Sequence, residues 1–244
     1  MSVRTLVTGG SSGIGAEIVR TLAARGHEVT FTFNASAAAA AALEQECGGR
    51  ARGVAVDLAD AAAVEDAGDE LASTGKFDNF VHSAGRSCDG LSMAGRLEDG
   101  RAAMQVNFWS AVALYGKLVR AMMAARAGRV VLIGSVTAER GNRGNALYAA
   151  TKGALAAFAR SAADELGARG VTINIVAPGY VDTPMMAGYG SGNALASRIP
   201  SRRYARPGEV AGLVAFLLTD EAGYINGATL VVDGGLSATL GMAH

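Results

Sequence analysis

Five consecutive residues, Tyr148-Ala149-Ala150-Thr151-Lys152, carry the strongest chemical signal in the chain. Residues four apart on a helix share a face and can meet, so Tyr148 and Lys152 form a candidate phenol–ammonium pair. A phenol near its ordinary pKa of ~10 moves protons poorly at neutral pH. A cation beside it favours phenolate and lowers that pKa by ~1–3 units. Ser135, thirteen residues earlier, adds a hydroxyl able to hold a carbonyl oxygen. Together these predict proton transfer to or from a substrate oxygen. The chain has only three lysines, Lys76, Lys117 and Lys152. Taken alone, the pair would suit equally well a half-packed tyrosine whose lysine reaches out to solvent.

Chemistry of that kind needs a scaffold, and the first forty residues describe one. Val3 to Val7 is a short apolar run, followed by Thr8-Gly9-Gly10-Ser11-Ser12-Gly13-Ile14-Gly15 and then helical spacing from Ala16 to Ala23. A strand, a glycine turn and a helix start bind a pyrophosphate: the glycines let backbone N–H groups approach, and the helix N-terminus supplies partial positive charge. The absence of a Gly-Lys-Ser/Thr ending excludes the mononucleotide P-loop. A second strand over Glu28 to Phe33 ends in Asn34-Ala35-Ser36. Dinucleotide enzymes specific for NAD place an acidic residue there, on the ribose 2′-hydroxyl. None is present, and Asn34 and Ser36 could donate to a 2′-phosphate, which favours NADP(H) without excluding NAD(H). Ser36 would also suit as a helix N-cap.

Further strands are expected over Ala51 to Val56, Asp78 to His82, Arg129 to Gly134, Val171 to Val176 and Thr229 to Val232, with helical segments between them. Asp57-Leu58 follows the third strand; Asp57 would accept from an adenine amino group or cap the helix beginning near Asp60. Ser83-Ala84-Gly85 follows the fourth, where small side chains allow a cofactor to approach, and His82 reads as structural. Asn107 sits inside a long helix from about Glu98 to Ala125, a poor place for a side chain that competes for backbone bonds; it marks either a polar kink or an exposed position. Ser135 stands at the carboxyl end of the fifth strand, and the helix from Asn145 to Gly167 carries Tyr148 and Lys152, so both reach one crevice. Residues 184–206, with Met185, Met186 and several arginines, read as a lid over an apolar substrate. The pattern predicts an α/β fold: one Rossmann-type domain over residues 1–244, with a doubly wound, seven-stranded parallel sheet and helices on both faces.

Composition excludes other classes. Formal net charge is zero over 244 residues, so no field points to nucleic acid or an anionic membrane. Half the residues are hydrophobic, enough for one substantial core. Cys47 and Cys88 form no disulfide framework, and His27, His82 and His244 no metal spacing. The start runs directly into a strand, leaving no room for a signal peptide, and no apolar run has membrane-spanning length. A cytoplasmic protein without metal is expected.

These motifs jointly resemble those of the short-chain dehydrogenase/reductase family over nearly the whole chain: the Gly9, Gly13 and Gly15 loop, Asp57-Leu58, Asn107, Ser135, Tyr148-x-x-x-Lys152, Ala177-Pro178-Gly179 with Thr183, and Asp233-Gly234-Gly235. Within it, Gly128-Arg129-Val130-Val131, Gly141-Asn142-Arg143-Gly144 and the stretch from Asp220 to Gly227 are most similar to bacterial 3-oxoacyl-[acyl-carrier-protein] reductases. The resemblance implies reduction of a 3-oxoacyl thioester, on carrier protein or CoA, in fatty-acid or polyketide synthesis. Tyr148 would protonate the carbonyl oxygen, Lys152 bond the nicotinamide ribose, Ser135 orient the carbonyl and Asn107 hold a water passing protons to Lys152. Ser11, Ser12 and Ile14 would belong to the cofactor loop, and Pro178, Gly179, Val181 and Thr183 to the nicotinamide end. It also implies a homotetramer built through the two long helices. Arg126 and Arg169 fall where such reductases meet acyl carrier protein, or are cations favoured at helix ends. Ser83 departs from the family's Asn-Ala-Gly, removing an amide that braces the sheet, and Ser12 from the arginine common in NADP-preferring members. A dehydrogenase of a small alcohol, sugar, cyclic ketone or steroid is the alternative on this scaffold, and a non-catalytic nucleotide-binding protein a remote one.

Overall fold

The computed structural model describes residues 2–186 and 195–238. Seven strands form one all-parallel sheet: β1 (Arg4–Thr8), β2 (Glu28–Phe33), β3 (Ala51–Ala55), β4 (Asn79–His82), β5 (Gly128–Ile133), β6 (Val171–Pro178) and β7 (Thr229–Val232). Their spatial order is β3-β2-β1-β4-β5-β6-β7. The chain winds outward from β1 in one direction, then returns to β4 and winds outward in the other. Between β1 and β4 the connections part to opposite faces, which leaves a crevice at the strands' carboxyl ends.

Alternation along the strands builds two cores. Leu6, Phe80, Val130, Leu132 and Ile173 point to one face and pack under α3 (Ala61–Ser73), α5 (Ser110–Ala125) and α6 (Ala146–Gly167). Val7, Val81, Val131 and Val176 point to the other, under α1 (Gly13–Ala24), α2 (Ala37–Glu46) and α7 (Pro207–Leu217). A strand buried on both faces must be apolar at successive positions, as these are.

The long helix expected around Asn107 is present but interrupted. α4 (Leu97–Met104) runs into one π turn, Gln105–Trp109, and on into α5. Asn107 is fully buried in that turn, so the kink is realised and the exposed alternative is not. A π turn displaces a helix's bonding pattern by one residue and re-aims side chains, and such turns favour functional sites.

Two cap expectations are corrected. Asp60, not Asp57, caps α3, its carboxylate accepting from the backbone N–H groups of Ala62 (2.9 Å) and Ala63 (3.2 Å). Ser36 occupies the position before α2, but its side chain makes no capping bond. Of the expected lid, residues 187–194 lie outside the described residues. Its second half is anchored: Ala205 N–H donates to Tyr180 O (2.9 Å), Ser201 N–H to Gly234 O (3.1 Å), and Ile199 is buried.

Candidate active site

The cofactor end of the crevice is shaped by missing side chains. Gly9 has φ +66°, and a Cβ there would stand 2.7 Å from Ala84 Cα; at Gly15 it would meet Gly9 O at 2.1 Å. The loop therefore closes on itself and on β4 so tightly that only glycine fits. Gly13 has φ +52° and opens toward Thr183, whose Cγ2 would lie 3.3 Å from an added Cβ. A cleft of about 260 Å³ runs along this loop, lined on the far side by Asn34, Asp57 and Leu58, underneath by Ser83, Ala84 and Gly85, and above by Thr183. Ser12, Gly13, Ile14 and Gly15 form its glycine wall. Backbone N–H groups at the start of α1 and side-chain-free walls fit a dinucleotide. Ser11, Ser36, Pro178, Gly179 and Val181 stand outside this lining. Val181 is buried, and Gly179 presses on Asp233, 2.8 Å from where its Cβ would be.

Where β2 and β3 end, Asp57 accepts from Ala59 N–H (2.9 Å) and from Asn34 Nδ2 (3.2 Å). The Asn34 amide is thus oriented by Asp57. The hydroxyls of Ser12 and Ser36 are not spent on capping α1 and α2.

At the other end, Lys152 is almost fully buried, and its ammonium donates to Ile133 O at 2.8 Å, at the end of β5 two residues before Ser135. It lies 5.8 Å from the centre of the Tyr148 ring. A Cβ on Gly85 would stand 3.7 Å from Lys152 Nζ and 3.8 Å from Asn107 Oδ1. Gly85 therefore marks the point where the ammonium and the Asn107 amide converge. Burial pulls the Lys152 pKa down from its ordinary value to about 8, so the residue remains largely charged at neutral pH.

Ser135 Oγ accepts twice from Thr137, from its N–H (3.2 Å) and from its Oγ1 (2.9 Å). With both acceptor sites engaged, the serine hydrogen is left to donate outward. Asn107 is held on three sides: Oδ1 accepts from Arg86 N–H (2.7 Å), while Nδ2 donates to Arg86 O (3.0 Å) and to Thr151 Oγ1 (2.9 Å). Thr151 in turn donates to Tyr148 O at 2.7 Å. Thr151 carries no chemistry of its own, and only its place one residue before Lys152 could have flagged it.

The backbone at Ser83 and Ala84 is held from the end of β1. Thr8 Oγ1 accepts from Ser83 N–H (3.2 Å) and Ala84 N–H (3.3 Å). Its own hydrogen then goes to His82 Nδ1, 2.9 Å away, which assigns the ring proton to Nε2. That nitrogen is buried with no hydrogen-bond partner among the described residues. The carbonyls of Asn107 and Val106 lie near the ring, but burial dominates and, with the Lys152 charge, pushes the His82 pKa down to about 3. His82 is a neutral structural histidine. Arg126 closes α5 in a left-handed conformation (φ +51°) and donates to Ala168 O (2.8 Å) at the end of α6.

The family model described as Enoyl-(Acyl carrier protein) reductase matches residues 9–237. The 3-oxoacyl-[acyl-carrier-protein] reductase FabG of Escherichia coli K12 is 39% identical over 234 residues, covering 95% of this chain and 96% of that protein. The chain belongs to the short-chain dehydrogenase/reductase family. The reductase MabA of Mycobacterium bovis is 37% identical over the whole of this chain and 95% of its own. Among solved structures of the family, a Serratia marcescens short-chain dehydrogenase/reductase superposes with a TM-score of 0.89 at 39% identity, over 96% of this chain and 98% of that one. ElxO, solved with NADP bound, superposes at 0.91 with 25% identity, over 98% of this chain and all of that one. The family and its relatives make this protein an NAD(P)-dependent oxidoreductase, similar to the 3-oxoacyl-[acyl-carrier-protein] reductases. No helix among the described residues is long and apolar enough to cross a membrane, and no group of side chains there could hold a metal ion.

Proposed function

We propose that this protein reduces a 3-oxoacyl thioester to the 3-hydroxyacyl form with NADPH, Tyr148 giving the proton. The observation that carries the reading is the placement of Lys152. A buried ammonium is costly to the fold, and such groups concentrate at functional sites; this one is fixed at the end of β5 beside Asn107, Gly85 and the Tyr148 ring. Its charge favours the phenolate left when Tyr148 releases its proton. Ser135, with its acceptor sites filled by Thr137, donates its hydrogen to the substrate carbonyl and holds the oxygen as negative charge grows on it. A reduced nicotinamide bound in the glycine-walled cleft would supply the hydride. Lys152 and Tyr148 would hold its ribose, and Asn107 would orient a water that returns the proton through Lys152.

NADPH is favoured over NADH because Asn34-Ala35-Ser36 at the end of β2 includes no acidic residue to take a ribose 2′-hydroxyl, and Asn34 and Ser12 line the cleft there, with the neighbouring Asp57 carboxylate engaged by the Asn34 amide and Ala59 N–H. A thioester on acyl carrier protein is favoured by the similarity to FabG and MabA. Arg126 and Arg169 lie together where α5 and α6 end, a basic corner for an acidic carrier. Trp109 on this helix pair is 53% exposed, at the head of an edge-to-face array with Phe108, Phe158 and Tyr115, and such an apolar face suits burial in a homotetramer.

Oxidation of NADPH and of NADH is measured against acetoacetyl thioesters of carrier protein and CoA, a crotonyl thioester, and a panel of alcohols with NAD. The account expects turnover on the 3-oxo thioesters with NADPH. Turnover only on the enoyl thioester, or only of a free alcohol with NAD, would overturn it.

A further inference from the structure

Tyr148 sits inside a closed circuit of hydrogen bonds that runs through a loop of no assigned role. On one side, its carbonyl accepts from Thr151 Oγ1 (2.7 Å), which accepts from Asn107 Nδ2 (2.9 Å), and Asn107 grips Arg86 N–H and O. Three residues beyond Arg86 the loop turns back to the same helix. The Asp89 carboxylate accepts from Asn145 Nδ2, and Gly90 N–H donates to Gly144 O at 2.8 Å. Asn145 closes the circuit into the first turn of α6, its carbonyl accepting from Ala149 N–H at 2.8 Å.

Asn145 is the telling member. It stands immediately before α6, where an asparagine side chain ordinarily caps the helix and stabilises it by ~1 kcal/mol. Here the side chain makes no capping bond. It is 8% exposed and bridges two loops instead, donating to Asp89 and accepting from Asn142 Nδ2. Two residues on, Leu147 fills a notch between Gly95 and Gly100, where an added Cβ would come within 3.2 and 3.1 Å of its Cδ1. Asn145 and Leu147, the two anchors just before Tyr148, are therefore both fastened to the segment 89–100.

We propose that Asn145, through Asp89, is a positioning residue for Tyr148: the 86–90 loop is a strap that holds the first turn of α6 against the Asn107 turn and so fixes the phenol in the crevice. Neither residue touches the reacting atoms. The inference rests on Tyr148 being the proton donor.

The test compares Asn145→Asp, Asp89→Ala and the double variant Asp89→Asn/Asn145→Asp in the full-length protein. Asn145→Asp sets two carboxylates face to face and breaks the strap, whereas the double variant restores a carboxylate–amide pair with its direction reversed. Asp89 is exposed, so its removal leaves the core intact. The expected result is a fall in kcat of about tenfold or more for both single variants, the scale of a misplaced reacting group. NADPH dissociation constants should stay within about twofold, and the double variant should recover kcat to within about threefold. Wild-type kcat in both single variants, or a double variant no better than Asn145→Asp, would overturn the proposal. Tyr148→Phe, run beside them, separates the two readings. If it keeps turnover, the proton-donor assignment fails; if it is inactive while Asn145→Asp and Asp89→Ala are normal, only the strap fails.

Discussion

The Asn107 side chain grips Arg86 by both of its backbone groups, accepting from the N–H at 2.7 Å and donating to the carbonyl at 3.0 Å. The grip is possible because the π turn swings Asn107 out of the regular helix and into the interior. It ties the segment after β4 to the helix facing it, and through Thr151 to α6.

Asn107→Ala would leave the Arg86 backbone and Thr151 without these partners. Each buried group so orphaned costs ~1–3 kcal/mol. Urea unfolding should show a loss of about 3 kcal/mol, with kcat falling further than NADPH affinity. Asn107→Ala with unchanged stability and rate would show the grip to be incidental.

Lys152→Met should stabilise the cofactor-free protein while abolishing turnover. The folded pKa of about 8 lies below the ordinary 10.5. Between those values the unfolded chain binds more protons, so wild-type stability rises with pH across the window, and the penalty is full only below about 8. The full shift corresponds to ~3 kcal/mol, offset by ~1 kcal/mol for the unpaired Ile133 carbonyl. A gain of about 2 kcal/mol at pH 7 that fades toward pH 10.5 is expected in denaturant titrations. A loss of stability at pH 7 would contradict it.

His82→Asn should reverse sign with pH. The folded pKa of about 3 lies below the ordinary 6.5, chiefly through burial. The unfolded chain therefore takes up the proton first as pH falls from 6.5 to 3, and wild-type stability drops by up to ~1.4 kcal/mol per unit. His27, half-buried with its pKa also lowered by burial, adds to the slope. The variant should be the less stable at pH 7, where the Thr8 bond is lost, and the more stable by pH 4. Parallel stability curves would remove His82 as the source.

Ser36→Asp should turn cofactor choice. A carboxylate at the end of β2 repels a 2′-phosphate and accepts from a 2′-hydroxyl. NADPH affinity should drop about tenfold or more, with NADH affinity held or improved, as read by fluorescence titration; equal losses for both would contradict it.

Much of this architecture is legible in the residues. Leu6 beside Val7 and Phe80 beside Val81 announce strands buried on two faces, and Tyr148 and Lys152 meet because a helix brings every fourth residue round. What could not be read depends on partners distant in sequence. Thr8 and His82 are 74 residues apart and pair only because β1 and β4 are neighbours. Asn107 announces a kink but not its form, because the π turn depends on Arg86 and Thr151 being in reach. Asn145 looks like the start of a helix, and nothing local shows its side chain diverted to Asp89. Asp57 and Asp60 both suit a cap, and only the loop's path decides between them.

The central claim is that Tyr148 delivers the proton to a carbonyl oxygen beside a bound nicotinamide. Its most direct test is a single-turnover mixing of NADPH-loaded enzyme with acetoacetyl thioester, following nicotinamide absorbance for wild type and Tyr148→Phe. The account predicts rapid oxidation by wild type, and a variant that binds NADPH with ordinary affinity yet oxidises it at least about a thousandfold more slowly, as expected for loss of a general acid. A variant rate within about tenfold of wild type would contradict it.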